Sequence, residues 1–343
     1  MGSKKAVIEA GDIKSLSIHQ ESCGFDAALR FWVVSPKSRD QDALIADFTK
    51  DTPIDVTLRL ERKLERPGSN TDAWVLKGLC YQREIFEQDY AAVSGEPVLQ
   101  REYQIRFADP ASVLWQNHHP VCLYVDKSLK NIIQEHSNDR IKMTTKWAEA
   151  TKAFHIHSLA LGQEYGQASF YDFIQWFADT RHGFLYFDSE QMKYELEASK
   201  KDVGKAQELD PDDLETTEIF FPEVSRVTKT VHNSFANKTA SNPVKNAASV
   251  TGVREDILMT HPAASWITGR KKFETNRIVV QENVFKLTWA RLPTSNIQPG
   301  CLLKPASNAW SPNRMSTDET YRVFRIQFSA HAENQGATEN VGE

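Results

Sequence analysis

The early part of the chain alternates between apolar and polar positions. Ile54, Val56, Leu58 and Leu60 interleave with Asp55, Thr57, Arg59 and Glu61, the period-two pattern of a strand with one wet face. Leu29, Phe31 and Val33 alternate with Arg30 and Trp32, apolar enough to be buried on both faces. The stretch from Arg66 to Asp72 is rich in turn formers and reads as a hairpin connection. Trp74 to Tyr81 is the next strand, and Gly78 inside it predicts a bulge or a corner. Leu99, Tyr103, Ile105 and Phe107 form a further alternating set. Short antiparallel strands separated by turns predict a small barrel or sandwich.

At Asp109 and Pro110 the period changes. Asp at N-cap followed by Pro at the first helical position predicts a short helix through Val113 and Leu114. Ser128 caps a second helix, with Leu129, Ile132 and Ile133 at i, i+3 and i+4. Ser169 and Asp172 resemble a capping box ahead of the stripe Phe170, Phe173, Ile174 and Phe177. Gly183 is placed to take the left-handed position after that helix, and Phe184 to Phe187 leaves as a strand. Residues 200–215 are polar and read as a solvated connection. The acidic run from Asp210 to Glu215 has calcium-like chemistry, but a wet surface loop is the simpler reading. Ile278 to Val280 and the set Phe285, Leu287 and Trp289 look strand-like, and Asn296 to Gly300 is a turn. Phe324, Ile326, Phe328 and Ala330 alternate with Arg325, Gln327 and Ser329. The expected fold class is mainly β with an α+β insertion. Residues 1–108 form a first β-barrel-like domain, 109–215 an α/β middle domain, 216–330 a second β-barrel-like domain and 331–343 a flexible tail.

Composition narrows the function classes. The 343 residues are 40% hydrophobic and 25% charged, ordinary for a folded chain of two or three domains. Lys and Arg number 41 against 46 Asp and Glu, a net charge of −5, which argues against a dedicated nucleic-acid binder. Cys23, Cys80, Cys122 and Cys301 are far apart and lack any CxxC pair, so they read as buried thiols, not a disulfide framework. No apolar run approaches the ~18 residues of a membrane span. Met1 to Glu9 starts with the basic end of a signal peptide, but Glu9 interrupts any hydrophobic region. Ala6 stands where a myristoylation signal wants Ser or Thr. The expected place is the cytoplasm in which the protein is made, unless a machine exports it.

Candidate chemistry is sparse. The chain has no GxSxG elbow, no GxxxxGK[ST] loop and no HExxH. His155 and His157 would share one face of a strand and make half a metal site, but no third ligand accompanies them. His118 and His119 would point to opposite faces if extended. Arg270, Lys271 and Lys272 form a short basic run that reads as a solvated turn. No catalytic residue, cofactor site or metal site is assigned, and the expectation is a protein that is not an enzyme.

The element order and four stretches of text resemble the baseplate hub protein of contractile-tailed phages and the N-terminal half of the type VI secretion spike protein VgrG. The four are Asp51 to Leu58, Trp74 to Tyr81, Tyr103 to Trp115 leading into Leu129 to Ile133, and Ser169 through Phe187 with its capped aromatic helix, glycine and aromatic strand. The closing β part, with Gly300 and Tyr321 to Phe324, is similar to the family's second barrel. Unlike VgrG, the sequence has no Val-Gly-rich strand repeat and no fused lysozyme-like domain.

The resemblance implies a homotrimer: two barrels repeated three times match the sixfold inner tube, and three chains match a separate spike protein. The implied partners are the tube protein, the spike and other baseplate proteins, without nucleic acid or direct membrane insertion. Two other classes stay open, a β-rich glycan-binding or glycan-cleaving protein and a monomeric adhesion or ligand-binding module.

Overall fold

The computed structural model describes residues 5–61, 73–90, 97–161, 168–209, 214–220, 226–235, 238–244, 249–259, 266–280, 284–289, 292–293, 297–306 and 318–332. The chain begins with β1 (Ile13–Glu21), β2 (Gly24–Pro36), the single turn of helix α1 (Ile45–Phe48), β3 (Asp55–Leu60), β4 (Trp74–Tyr90) and β5 (Val98–Ala108). The middle follows as α2 (Pro110–Leu114), β6 (Val121–Ser128), α3 (Leu129–His136), β7 (Lys142–Thr145), β8 (Ala153–Ala160), α4 (Phe170–Thr180), β9 (Phe184–Asp188) and β10 (Lys193–Glu197). The remainder comprises β11 (Val203–Leu209), β12 (Leu214–Phe220), β13 (Arg226–Phe235), β14 (Lys238–Val244), β15 (Ser249–Met259), α5 (Trp266–Val280), β16 (Val284–Trp289), β17 (Cys301–Pro305), β18 (Tyr321–Arg322) and β19 (Arg325–His331). The fold is mainly β with an α+β insertion, as the periodicity predicts.

The largest sheet has the order β19-β1-β2-β5-β4-β3 and is antiparallel throughout. It curls. The Trp74 ring of β4 meets the Phe328 ring of β19 edge-on at 5.9 Å, although three strands lie between them in the sheet order. The inner face is the set the alternation marked, with Leu29, Phe31, Leu58, Tyr103, Ile105 and Phe107 buried. Gly78 is a close approach: a Cβ there would stand 2.3 Å from the Ala108 carbonyl oxygen and 2.8 Å from the Phe25 ring. The bulge in β4 lies slightly further on, between Cys80 and Gln82.

At one end of this sheet Arg101 is buried on the inner face and gathers acids from the loop after β2. Its guanidinium lies 2.7 Å from Asp40 and 3.1 Å from Asp42, while its Nε donates to Glu87 at 2.7 Å. Arg101 holds the Asp40 carboxyl at about 2, well below its ordinary range. The guanidinium thereby fixes a connection that otherwise has little apolar content.

The helices of the middle part form where the caps predict them. Ser128 accepts from the Asn131 amide, Ser169 accepts from the Asp172 amide, and both helices carry complete capping boxes. After α4 the left-handed residue is His182, with φ 63°, and not Gly183. Gly183 serves a different need, because a Cβ there would sit 2.5 Å from the Trp147 ring. The core runs unbroken from Leu16 and Phe31 in the first sheet through Trp115, Ile132, Phe170 and Phe177 to Leu196.

Three expectations from the sequence are corrected. Residues 203–209, read as part of a solvated connection, form β11, paired parallel with β17. Ile278 to Val280 end helix α5, so the helix that precedes them overrides their local strand propensity. Arg325–His331, grouped with a second barrel up to residue 330, pairs with β1 over Ser15 to Glu21. Alternation identifies a strand but says nothing of its partner. The His331 end of this strand reaches into the stretch read as tail, and the Ala332 amide donates to the Lys14 carbonyl. The Arg66 to Asp72 turn, the acidic residues 210–213 and residues 333–343 lie outside the described residues.

Asp109 joins the first sheet to the middle part. Its carboxylate is fully buried and accepts four hydrogen bonds: from the Phe25 amide (3.2 Å), the Ser112 amide (3.0 Å), the Ser112 hydroxyl (2.6 Å) and the Tyr194 hydroxyl. Burial pushes this carboxyl up, against the pull of those donors. Asp109→Ala removes a helix cap and leaves buried donors unpaired, with an expected cost of about 3 kcal/mol. Asp109→Asn is expected to cost nearly as much, because its amide group turns donors toward donors. Urea unfolding checks both; an Asn variant as stable as the parent would refute the acceptor-only role.

Candidate assembly surfaces and their supports

The short strand β6 is apolar on both faces. Its inner face carries Cys122, half-buried, and Tyr124, buried against α3. Its outer face carries Val121, Leu123 and Val125, which are 67%, 67% and 57% exposed. β6 pairs only with β8, so this sheet has two strands and the apolar row has no covering layer among the described residues. A second exposed anchor is Trp176 on α4, 56% exposed although its neighbours Phe173 and Phe177 are buried. Large apolar side chains left in water mark contact surfaces more often than chance positions do.

Behind β6 lies a hydrogen-bonded trio. His118 Nε2 is 2.7 Å from His136 Nδ1, and His136 Nε2 is hydrogen-bonded to the Tyr124 hydroxyl. The His118 carbonyl accepts the Phe170 amide at the start of α4, and the His136 carbonyl accepts the Trp115 indole N–H. The trio thus ties β6, α2, α3 and α4 together behind the exposed row. Burial lowers both histidines; His119 adds to this at His118, and His118 adds to it at His136.

His155 and His157 both lie on β8, with His157 opposite Tyr124 in the register, and their side chains lie outside the described set. Among the described residues no group of three His, Cys, Asp or Glu side chains is placed to hold a metal ion.

The basic run at 270 is part of helix α5 and not a turn. Arg270 is buried and pairs with Glu274 at 2.6 Å, one helical turn on, while Lys229 of β13 reaches the same carboxylate at 3.2 Å. Burial pushes the Glu274 carboxyl up, and Arg270, Lys229 and Arg277 outweigh it to leave it below its ordinary range. Arg270 also donates to the Asp179 carbonyl near the end of α4, and Phe273 packs on the His182 ring at 4.8 Å. The i, i+4 spacing of Arg270 and Glu274 was the sequence signal for this helix.

No family model matches the sequence, and no curated protein matches it. Solved structures do. A Francisella PdpA-VgrG complex in its half-lidded form aligns at 12% identity with a TM-score of 0.64, over 96% of this chain and 52% of that one. The 43 kDa tail protein of prophage MuSo2 from Shewanella oneidensis aligns at 12% identity with a TM-score of 0.53, over 93% and 91%. An Escherichia coli type VI secretion component, described as similar to the T4 phage tail proteins gp27 and gp5, aligns at 11% identity with a TM-score of 0.50, over 93% and 70%. The chain therefore spans about half the length of the Francisella chain and most of the Shewanella tail protein.

Acid should loosen the α4–α5 contact. Burial, reinforced by Arg270, lowers His182 from its ordinary 6.5 to about 4, while Glu274 and Asp179 oppose the shift. The unfolded chain then takes up a proton near 6.5 and the folded chain only near 4. This contribution to stability is therefore complete above pH 6.5 and is lost as pH falls toward 4. His182→Asn keeps a residue that tolerates positive φ, and its melting temperature is expected to fall less between pH 7 and pH 5 than that of the parent. Equal slopes would contradict this assignment.

At such identities it is the fold that is shared, and it is the fold of phage-tail and type VI secretion proteins, the group to which the sequence resemblance pointed.

Proposed function

We propose that this protein is a structural baseplate hub of a contractile injection machine, a homotrimeric adapter between a sixfold inner tube and a threefold spike. The observation that carries this reading is the shared fold, which extends over 93–96% of the chain and not over one module alone. In this reading the curled sheet of 13–108 with 325–331 supplies one ring unit and the sheets within 203–322 supply the other. Three chains then present six units to the tube and three to the spike. The role is binding, not turnover. The partners are further copies of the chain, the tube protein, a separate spike and other baseplate proteins.

The uncovered row on β6 and Trp176 support an assembling protein, since such side chains gain free energy when a partner removes them from water. Assembly would take place in the bacterial cytoplasm before the particle is complete. Among the described residues no helix is long and apolar enough to cross a membrane.

Light scattering on a sizing column tests the reading. The expected mass is three times 39.0 kDa, alone or with the candidate spike present. Leu123→Asp, on a side chain 67% exposed, is expected to shift the mass toward one chain without unfolding it. A monomer in both conditions, together with saturable binding to glycans or to an unrelated protein, would overturn the adapter reading.

A further inference from the structure

Strand β6 is held at its centre by one side chain. Of Val121 to Val125 only Tyr124 is buried, and its hydroxyl is the one bonded to His136. Helix α3 follows β6 without a loop, since Ser128 ends the strand and Leu129 begins the helix. The helix runs back along the strand, so that His136, its last residue, meets Tyr124. The His136 and His118 rings are 4.8 Å apart and lie 4.6 and 5.6 Å from the Phe170 ring of α4.

The contact between the two imidazoles counts protons. A gap of 2.7 Å between His118 Nε2 and His136 Nδ1 has room for one hydrogen, so one nitrogen donates and the other accepts. With both rings neutral the chain of bonds closes in either direction between His118 and Tyr124. One added proton fits as well, because His136 then donates from both nitrogens, to His118 and to the Tyr124 oxygen. A second proton sets an N–H on each side of the gap and brings two cations together.

The surrounding charges do not relieve this. Glu135 on α3 favours the proton on His136, but its carboxylate pairs with Lys127 of β6, whose ammonium lies 5.5 Å over the Tyr124 ring. His119 opposes a charge on His118. Cys122 of β6 is hydrogen-bonded to Tyr124, α2 and α4 contribute the uncharged Trp115 and Phe170, and His157 of β8 stands opposite Tyr124 in the register.

We propose that the trio is a proton-operated latch: when both histidines carry a proton, Tyr124 parts from His136 and β6 comes away from α3 with its exposed row. Burial lowers both rings from their ordinary 6.5, so the open form takes up protons first as pH falls. The latch is therefore fully closed above pH 6.5 and loses its hold below it. The opening does not depend on the adapter reading, whereas its consequence, a partner released from β6 by acid, rests on that reading.

Hydrogen exchange on the full chain at pH 7 and pH 5, corrected for the intrinsic pH dependence of exchange, tests the latch. Protection of Val121–Ser128 is expected to fall about tenfold or more at pH 5 relative to that of β2 in the large sheet. The double variant His118→Gln with His136→Gln is expected to lose that response, and His19→Gln, at an exposed histidine of β1, to keep it. Nitrogen NMR of the imidazoles in the parent gives a reading that needs no variant: β6 is expected to open at the pH where both rings become cations. Two cationic rings with β6 still protected would overturn the latch, as would β6 opening while both rings stay neutral or an unchanged response in the double variant. Light scattering on the same samples separates the two readings: a parent that is monomeric at pH 7 counts against the adapter, while the exchange data alone decide the latch.

Discussion

A buried carboxylate with four donors around it is the constraint on which the rest of this structure depends. Asp109 ends β5, caps α2, receives the Phe25 amide from β2 and the Tyr194 hydroxyl from β10. The Tyr194 hydroxyl in turn accepts the Ala111 amide at 2.8 Å, and the Asp109 amide donates to the Phe25 carbonyl. A charged or acceptor-only group in an apolar interior is costly unless each lone pair is engaged. Here the engagement requires three separate elements to arrive in register, so the group specifies how the curled sheet and the middle part meet. Gly24 belongs to the same arrangement, because a Cβ there would lie 2.2 Å from the Asp109 carboxylate.

Around that centre the two parts are stitched at further points. The Lys77 amide of β4 donates to the Ser189 carbonyl in the turn after β9, and the Ser189 hydroxyl returns a bond to the Val75 carbonyl at 2.9 Å. The Phe187 amide donates to the Ser22 carbonyl, and Phe25 stacks on Phe187 at 6.1 Å. A continuous core with hydrogen bonds across the seam resists relative motion of its parts. That stiffness leaves the exposed row on β6 fixed in place by the histidine–tyrosine trio behind it.

Local signals in the sequence were readable because their physics is local. Asp109-Pro110 and the Ser169–Asp172 pair set helix starts within four residues, and the alternation of Leu29, Phe31, Tyr103 and Phe107 marked the inner face. Pairings over long sequence distance were not readable: nothing in residues 325–331 says that they close onto β1, some 300 residues earlier in the chain. Helix α5 was hidden by the β-branched residues 278–280, although the Arg270–Glu274 spacing pointed to it. At the end of α4 the glycine drew attention as the left-handed residue, whereas the backbone uses His182 there and keeps Gly183 for the Trp147 ring. The β6 row escaped notice because the run Val121 to Val125, apolar at each position, looks like a strand buried on both sides. Only its two-stranded sheet exposes one of them.

The proposed adapter is an assembly of chains joined through faces that the isolated fold leaves open. Electron cryo-microscopy of the purified protein with its candidate spike tests that claim most directly. The expected result is a closed threefold particle whose tube-facing side shows six similar lobes, two from each chain. Single chains attached to the spike without a ring, or a ring of any other symmetry, would contradict it.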